Sequence, residues 1–580
     1  MNKGMFSLII PTNRFFMVDN GENDIDNLIK SILDQNYTNY EILIVTNGED
    51  REFLAEYLTE KYEDQANLFV YQNEEASAPA AKNIGLVHAK GEYHMFIGSD
   101  TLLYPGLLEK YATEFKANPE ASLLYTDLEY LDNGVPSGRV TSFRQYDRHV
   151  LLASPYIDGT SAVRAIYSKP WDTRIKALQD WGWSINCTSE APAVKVPGVW
   201  YGMEMPREGG LGTYFNEHWE ELVALTKEIY NLPKREMVVT GENETEAIRI
   251  SKLIEADFVP LFMLQQRKFE YKLCLMIGYN VHHLDVLNQA FKLLPKECAK
   301  VIFLSGLDLL SFESLTWRAN KNLCKILPDW FSKVIVGSAE AAALLEEMGV
   351  QAGICEPVAD LTSLPFKYTK IREIPTIGLY TEGWSTEQIE QANIVLAATI
   401  AGYLPEYKFN YYGTDIKVDI PSEDPAKPNL TDINMEVKGN YPVEQIADEI
   451  DIFINIPTFS TEDLLSTQMI VMGKEVVNAN VSIHGAYNIG SGDYHPAFLH
   501  KVAKEIVKQV KHIVENHKTE EQAKADRDFF LAARSSKEVL NFYLKTAIDE
   551  EPAKMERIKA KIEKAKKGDS DDNGTEKEAE

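Results

Sequence analysis

The N-terminal part of the chain alternates short apolar runs with amphipathic ones, and this alternation limits its fold more than any other feature. Five runs read as strands: SLIIPT from Ser7, EILIVTN from Glu41, NLFVYQN from Asn67, YHMFIGS from Tyr93 and SLLYTD from Ser122. Between them, Asn23–Leu33, Glu49–Lys61, Pro79–His88 and Pro105–Ala117 read as helices. Apolar strands joined by helices predict a mostly parallel sheet covered on both faces. Ligands of such sheets gather at the carboxyl ends of the strands. Those ends carry Pro11-Thr12-Asn13, Thr46-Asn47-Gly48 and Gly98-Ser99-Asp100.

Two stretches concentrate the candidate chemistry. In GLVHAKGEYHMFIGSD, Gly85 to Asp100, an acid closes a buried strand at the position where α/β sheets bind nucleotides. In ALQDWGW, Ala177 to Trp183, Asp180 lies in an aromatic-rich turn where a general base would face that nucleotide. Each has a plainer reading. Asp100 can simply cap a turn, and Asp180 can stabilise the positive end of a helix dipole. Trp181 and Trp183 offer a wall for a sugar ring, or fill core.

Composition narrows the classes. A chain of 580 residues predicts two to four domains. At 44% hydrophobic and 25% charged it reads as globular. The formal charge of −29 argues against nucleic acid or an anionic membrane as the main partner. No stretch reaches the apolar length of a membrane span, and the N-terminus reads as a first strand, so the expected location is cytoplasmic. Cys187, Cys274, Cys298, Cys324 and Cys355 are widely spaced without a CxxC pair, which predicts buried reduced thiols.

The order of segments resembles the family-2 glycosyltransferases of GT-A fold. SLIIPTNR, IKSILDQNYTNYEILIVTNGED, APAAKNIGLVHAKGEYHMFIGSDTLLYPGLLEK, LLYTDLEYLDNG, SPYIDGTSAVRAIYSKPWDTRIKALQDWGWSI and WYGMEMPREGG carry the resemblance over about the first 230 residues. It implies inverting transfer from a nucleotide-diphosphate sugar, most simply a UDP-sugar, commonly with a divalent cation such as Mg2+ or Mn2+. By the same resemblance Asp180 is the general base and Asp100 holds the metal and diphosphate. Pro11, Thr12, Asn13, Asn47 and Lys82 line the nucleotide-sugar site, and His218 is a last metal ligand. The plainer alternatives are an Asn47-Gly48 turn, a solvated Lys82 and a structural His218.

The chain departs from the family pattern at several of these positions. The aspartate pair after the second strand is Thr46-Asn47, and an amide still offers a donor and an acceptor to a base. The Asp-x-Asp-Asp metal motif reads Gly98-Ser99-Asp100-Thr101. Lys82 stands beside Asn83 where the family has arginine, keeping charge but losing bidentate geometry. The acid pair is Gln179-Asp180.

After Ile229 the strand–helix pattern restarts. REMVVTG, YKLCLMIGYN, AKVIFLSG and KVIVGSAEAAALLEEMGV, and later IPTIGLYTEG, YKFNYYGTD, EIDIFINIP and GKEVVNANV, predict two further α/β units. These resemble the Rossmann-like halves of a GT-B glycosyltransferase of the family-4 type, with Ser460 and Gln468 near the expected glutamates and only Glu462 close by. The expected organisation is a GT-A-like domain over 1–232, GT-B-like halves over 233–368 and 369–495, helices over 496–550, and a charged disordered tail over 551–580.

Two functional readings follow. One is a transferase that moves a sugar to the hydroxyl of a glycan or protein, building a glycoconjugate or cell-surface glycan, with homo- or hetero-oligomers possible. The other is a catalytically degenerate scaffold or acceptor-binding subunit, favoured by the missing carboxylates. A nicotinamide-dependent enzyme ranks behind both, because no strand leads into a GxGxxG turn.

Overall fold

The computed structural model describes residues 2–13, 23–205, 211–241, 244–278, 284–304, 327, 329–337, 339–347, 349–355, 361–380, 396–413, 435–439, 441–455, 464–478, 496–533 and 536–572. The chain divides into two compact units. The first comprises Met1–Arg235 with Asp257–Val259 and Gln266–Phe269, and the second holds the remainder.

In the first unit the strands are β1 (Asn2–Thr12), β2 (Tyr40–Asn47), β3 (Leu68–Asn73), β4 (Gly91–Phe96), β5 (Thr101–Leu103), β6 (Leu123–Asp132), β7 (Val135–Thr141), β8 (Ala162–Arg164) and β9 (Ala193–Glu204). The helices are α1 (Asp24–Leu33), α2 (Arg51–Lys61), α3 (Ala78–His88), α4 (Leu107–Ala117), α5 (Arg148–Ala153), α6 (Gln179–Cys187), α7 (Leu211–Glu217) and α8 (Trp219–Ile229). One sheet runs β3-β2-β1-β4-β8-β6-β9-β5, with β7 hairpinned onto β6.

Alternation of side chains explains why the central strands are apolar throughout. Leu8 and Ile10 of β1 and Ile42 and Ile44 of β2 pack on one face with α1 and α4 residues. Ile9, Leu43 and Phe96 pack on the other with Trp181 and Trp183 of α6. A strand buried on both faces has no polar side to show. α3 lies close on β1 because Gly85 lacks a side chain: a Cβ there would stand 2.4 Å from Ile9 Cγ2.

The expected parallel sheet holds for only half of the unit. β1 pairs in parallel with β2 and β4, and β2 with β3. β8 then inserts antiparallel between β4 and β6, and β5 runs antiparallel to β9.

The second unit contains two sheets whose strands pair in parallel in the following orders. In one, Met237–Gly241, Leu273–Ile277, Ala299–Leu304, Lys333–Val336 and Gly353–Ile354 are neighbours in chain order. In the other, the order is Met435–Gly439, Lys408–Tyr412, Thr376–Tyr380, Ile452–Asn455 and Glu475–Asn478. Strand order reverses at Thr376–Tyr380, which makes its carboxyl end a topological switch point.

Helices Pro496–Glu515, Glu520–Ala533 and Ser536–Asp572 follow. The last runs through position 551, within the stretch expected to be a helix fraying into a charged tail, and is anchored there. Glu551 and Lys554 are both buried. Ser332 donates a hydrogen bond to Glu551, and the Lys554 ammonium donates to the Trp330 carbonyl at 3.2 Å. Their local sequence is charged, but their partners lie more than two hundred residues away. Residues 573–580 of that tail, Glu462, Ser460 and Cys324 lie outside the described residues. Gln468 falls within the helix Leu464–Val471. The four described cysteines are buried and none forms a disulfide.

Among the described residues, no helix is long and apolar enough to cross a membrane.

Candidate active site

The carboxyl edge of β1, β2 and β4 carries the residues that the sequence singled out. β1 ends at Thr12, opposite Thr46 of β2. The Asn47 side chain donates from Nδ2 to the Thr12 carbonyl at 3.1 Å and is buried. One of its recognition groups therefore ties the two strand ends together. Pro11 is half-buried and Asn13 is exposed at the same edge.

The turn after β4 places Asp100 half-buried, with its carboxylate folded toward Gly98, where a Cβ would stand 2.7 Å from Oδ1. Thr101 next to it is buried, and among the described residues its hydroxyl has no hydrogen-bond partner. The Asp100 carbonyl accepts from the Glu204 N–H of β9 at 3.1 Å.

α3 starts at the same edge, its first turn capped by the Ser77 hydroxyl, which accepts from the Ala80 N–H at 3.3 Å. Lys82 therefore stays near the strand ends. Its ammonium lies 3.6 Å from the centre of the Trp171 ring, 3.3 Å from Gln179 Oε1 and 3.4 Å from Asp180 Oδ1. Asn83 locks the Trp171 backbone from both sides, accepting its N–H at 2.8 Å and donating to its carbonyl at 2.9 Å. Burial pulls the Lys82 ammonium below the usual lysine range, and the charges of Asp180 and Asp158 only partly offset that.

Asp180 stands in the first turn of α6. It follows Leu178, whose φ of 64° is left-handed backbone that a branched side chain rarely adopts. Such a conformation costs about 1–3 kcal/mol and persists where the surroundings impose it. With 40% of its side chain exposed, Asp180 is reachable from solvent while Lys82, at 12%, is enclosed. Trp181 and Trp183 are buried, Trp183 stacking on Trp171 at 4.8 Å, so these rings are core and not a sugar platform.

A second acid, Asp158, belongs to the surroundings of Asp180. Asp158 accepts from the Thr160 N–H at 2.8 Å and from the Tyr201 hydroxyl at 3.0 Å. Burial, then the charge of Asp180, pushes its carboxyl above the ordinary range, while the two hydrogen bonds pull the other way. Its only sequence signal is an Asp-Gly turn, which describes many surface loops equally well.

His218 precedes α8, stacks on Tyr214 at 4.3 Å, and places Nδ1 3.3 Å from Glu221. Among the described residues no group of three His, Cys, Asp or Glu side chains is arranged to hold a metal ion. Asp100 alone fits the single-carboxylate anchoring that Mg2+ accepts when phosphate oxygens and water complete its shell.

Residues 7–191 match the family model described as glycosyl transferase family 2, so the first unit carries a domain of that family. Over 129 residues the chain is 30% identical to the O-antigen biosynthesis protein RfbC of Myxococcus xanthus, covering 22% of this chain and 10% of that protein. An uncharacterized glycosyltransferase of Rickettsia bellii is also 30% identical over 129 residues, 22% of this chain and 18% of its own. The chain thus spans at most a fifth of the length of either relative. Among solved structures, S. aureus TarS 1-349 in complex with UDP-GlcNAc aligns at 15% identity and a TM-score of 0.33, over 59% of this chain and 88% of that one.

Proposed function

We propose that the first unit transfers a sugar, of hexose type, from a nucleotide-diphosphate donor to an acceptor hydroxyl with inversion at the anomeric carbon. Asp180 acts as general base. Its carboxylate takes the acceptor's proton while the acceptor oxygen bonds to the anomeric carbon, and the bond to the diphosphate breaks with its electron pair leaving on the phosphate oxygen. The observation that carries this reading is the half-exposed Asp180 carboxylate held against a buried Lys82 within the family-2 domain. Asp100 takes the diphosphate side, and a divalent cation bound there would neutralise the leaving charge. The strand ends at Pro11, Thr12, Asn13 and Asn47 take the base and ribose, with UDP the first nucleotide to test. Lys82 belongs to this site through Asp180. His218 is kept as the last ligand of the divalent cation: Glu221 faces its Nδ1, and Nε2 is the ring nitrogen that would meet the metal.

The second unit reads as a GT-B-like pair of halves, on the strength of its two parallel sheets and the strand-order reversal at Thr376–Tyr380. It serves as a second transferase or a degraded scaffold. A cytoplasmic protein making a surface glycan, alone or as an oligomer, fits this reading.

A degenerate scaffold is the competing reading, favoured by the Asn47 amide that is already bonded to Thr12. One experiment separates them. UDP release is measured from a panel of UDP-sugars with Mg2+ or Mn2+, for the unaltered chain, Asp180→Asn and Asp100→Ala. Turnover that both substitutions lower supports the enzyme. Equal background in all three supports the scaffold.

A further inference from the structure

The turn at Asp158-Gly159 forms the floor beneath Asp180. A Cβ at Gly159 would lie 2.5 Å from Asp180 Oδ1 and 2.9 Å from its Cγ, so the carboxylate rests directly on this glycine. The turn is closed by its neighbour. Asp158 accepts from the Thr160 N–H at 2.8 Å, and its carbonyl accepts from the Ser161 hydroxyl at 2.5 Å. The Tyr201 hydroxyl donates to the Asp158 carboxylate at 3.0 Å from β9, at the register position opposite Leu103 of β5. Asp100 stands three residues before Leu103, on the order of 10 Å along the strand. A single carboxylate thus links the seat of Asp180 to the strand pair that follows Asp100.

We propose that Asp158 is a positioning residue: its hydrogen bonds fix the Gly159 turn against which the Asp180 carboxylate rests. This rests on the reading of Asp180 as the base. The carboxylate acts through geometry. Its oxygen accepts from the Thr160 N–H and the Tyr201 hydroxyl, and asparagine would preserve both bonds, since an amide oxygen accepts from the same two donors.

The test uses the full chain and UDP release from UDP-GlcNAc, from about pH 5 to about pH 9. Asp158→Ala should lower kcat by on the order of 100-fold with KM for UDP-GlcNAc unchanged. Asp158→Asn should recover most of that loss, because the amide oxygen keeps both hydrogen bonds. An Asp180-dependent rate that Asp158→Ala leaves unchanged, or that Asp158→Asn lowers as far as Asp158→Ala does, overturns this proposal alone, whereas a rate indifferent to Asp180→Asn overturns the base reading beneath it.

Discussion

The Lys82 ammonium stands 3.4 Å from the Asp180 carboxylate and 3.6 Å from the centre of the Trp171 ring, although ninety-eight residues separate the lysine from the acid. A cation so enclosed has exchanged water for an indole face and a carboxylate. Both contacts are stronger when desolvated.

That geometry makes Asp180 the first residue to test. Asp180→Asn keeps the shape of the side chain and removes the proton acceptor. Sugar transfer should fall by about a hundred- to ten-thousand-fold, measured as UDP release under single-turnover conditions. Asp100→Ala should instead raise the donor concentration needed for half-maximal rate, because it acts on the diphosphate side.

Lys82→Met removes the positive charge and keeps most of the packing on Trp171. Asp180 loses the cation held 3.4 Å from it, so its carboxylate is less firmly placed and kcat should fall, while Lys82→Arg should retain more of the rate. A Lys82→Met rate equal to that of the unaltered chain would separate the lysine from the base.

Gly159→Ala inserts a methyl group into the position held by the Asp180 carboxylate. The acid must rotate away, so activity should fall on the order of 100-fold. The displaced atoms are the end of a side chain, so the melting temperature should change little. Both are read from one preparation, by UDP release and calorimetry.

His94 supplies a pH effect remote from catalysis. It is buried in β4, and burial pulls its imidazole down to about 4. In the unfolded chain a histidine titrates near pH 6.5. Between these values the unfolded state binds the extra proton, so stability is lost as pH falls from about 6.5 toward about 4. A shift of this size is worth about 3 kcal/mol. His94→Gln should flatten that part of the denaturation profile, followed by urea midpoint against pH.

Lys554→Ala tests the anchoring of the last helix. Glu551 and Lys554 are buried together, and removing one partner strands the other charge at a cost of about 3–5 kcal/mol. The second unit should melt earlier, with the first transition unchanged if the units unfold separately in a calorimetric scan.

The first half of the chain could be read because its signals are local. Ile9 and its neighbours Leu8 and Ile10 face opposite sides of the sheet, yet all three are apolar, and that pattern appears in six letters of sequence. The strand ends at Thr12, Asn47 and Asp100 follow from the same rule. The antiparallel return of β5 and β8 is less visible, since it depends on which strands find each other after a short turn. The second unit repeats the lesson at Glu551, where a charged local sequence carries no sign of Ser332, the distant residue that holds the helix in place.

The sequence by itself determined the elements, their alternation and the identity of the acids available for chemistry, because hydrophobic period and turn residues act over a few positions. Tertiary structure decided which acids share an environment. Asp158 sits beneath Asp180, Lys82 is held between the base and an indole, and His218 is drawn to Tyr214 and Glu221. Charge and burial act through space over a few ångströms, and chain folding brings together residues whose separation in sequence carries no record of that distance.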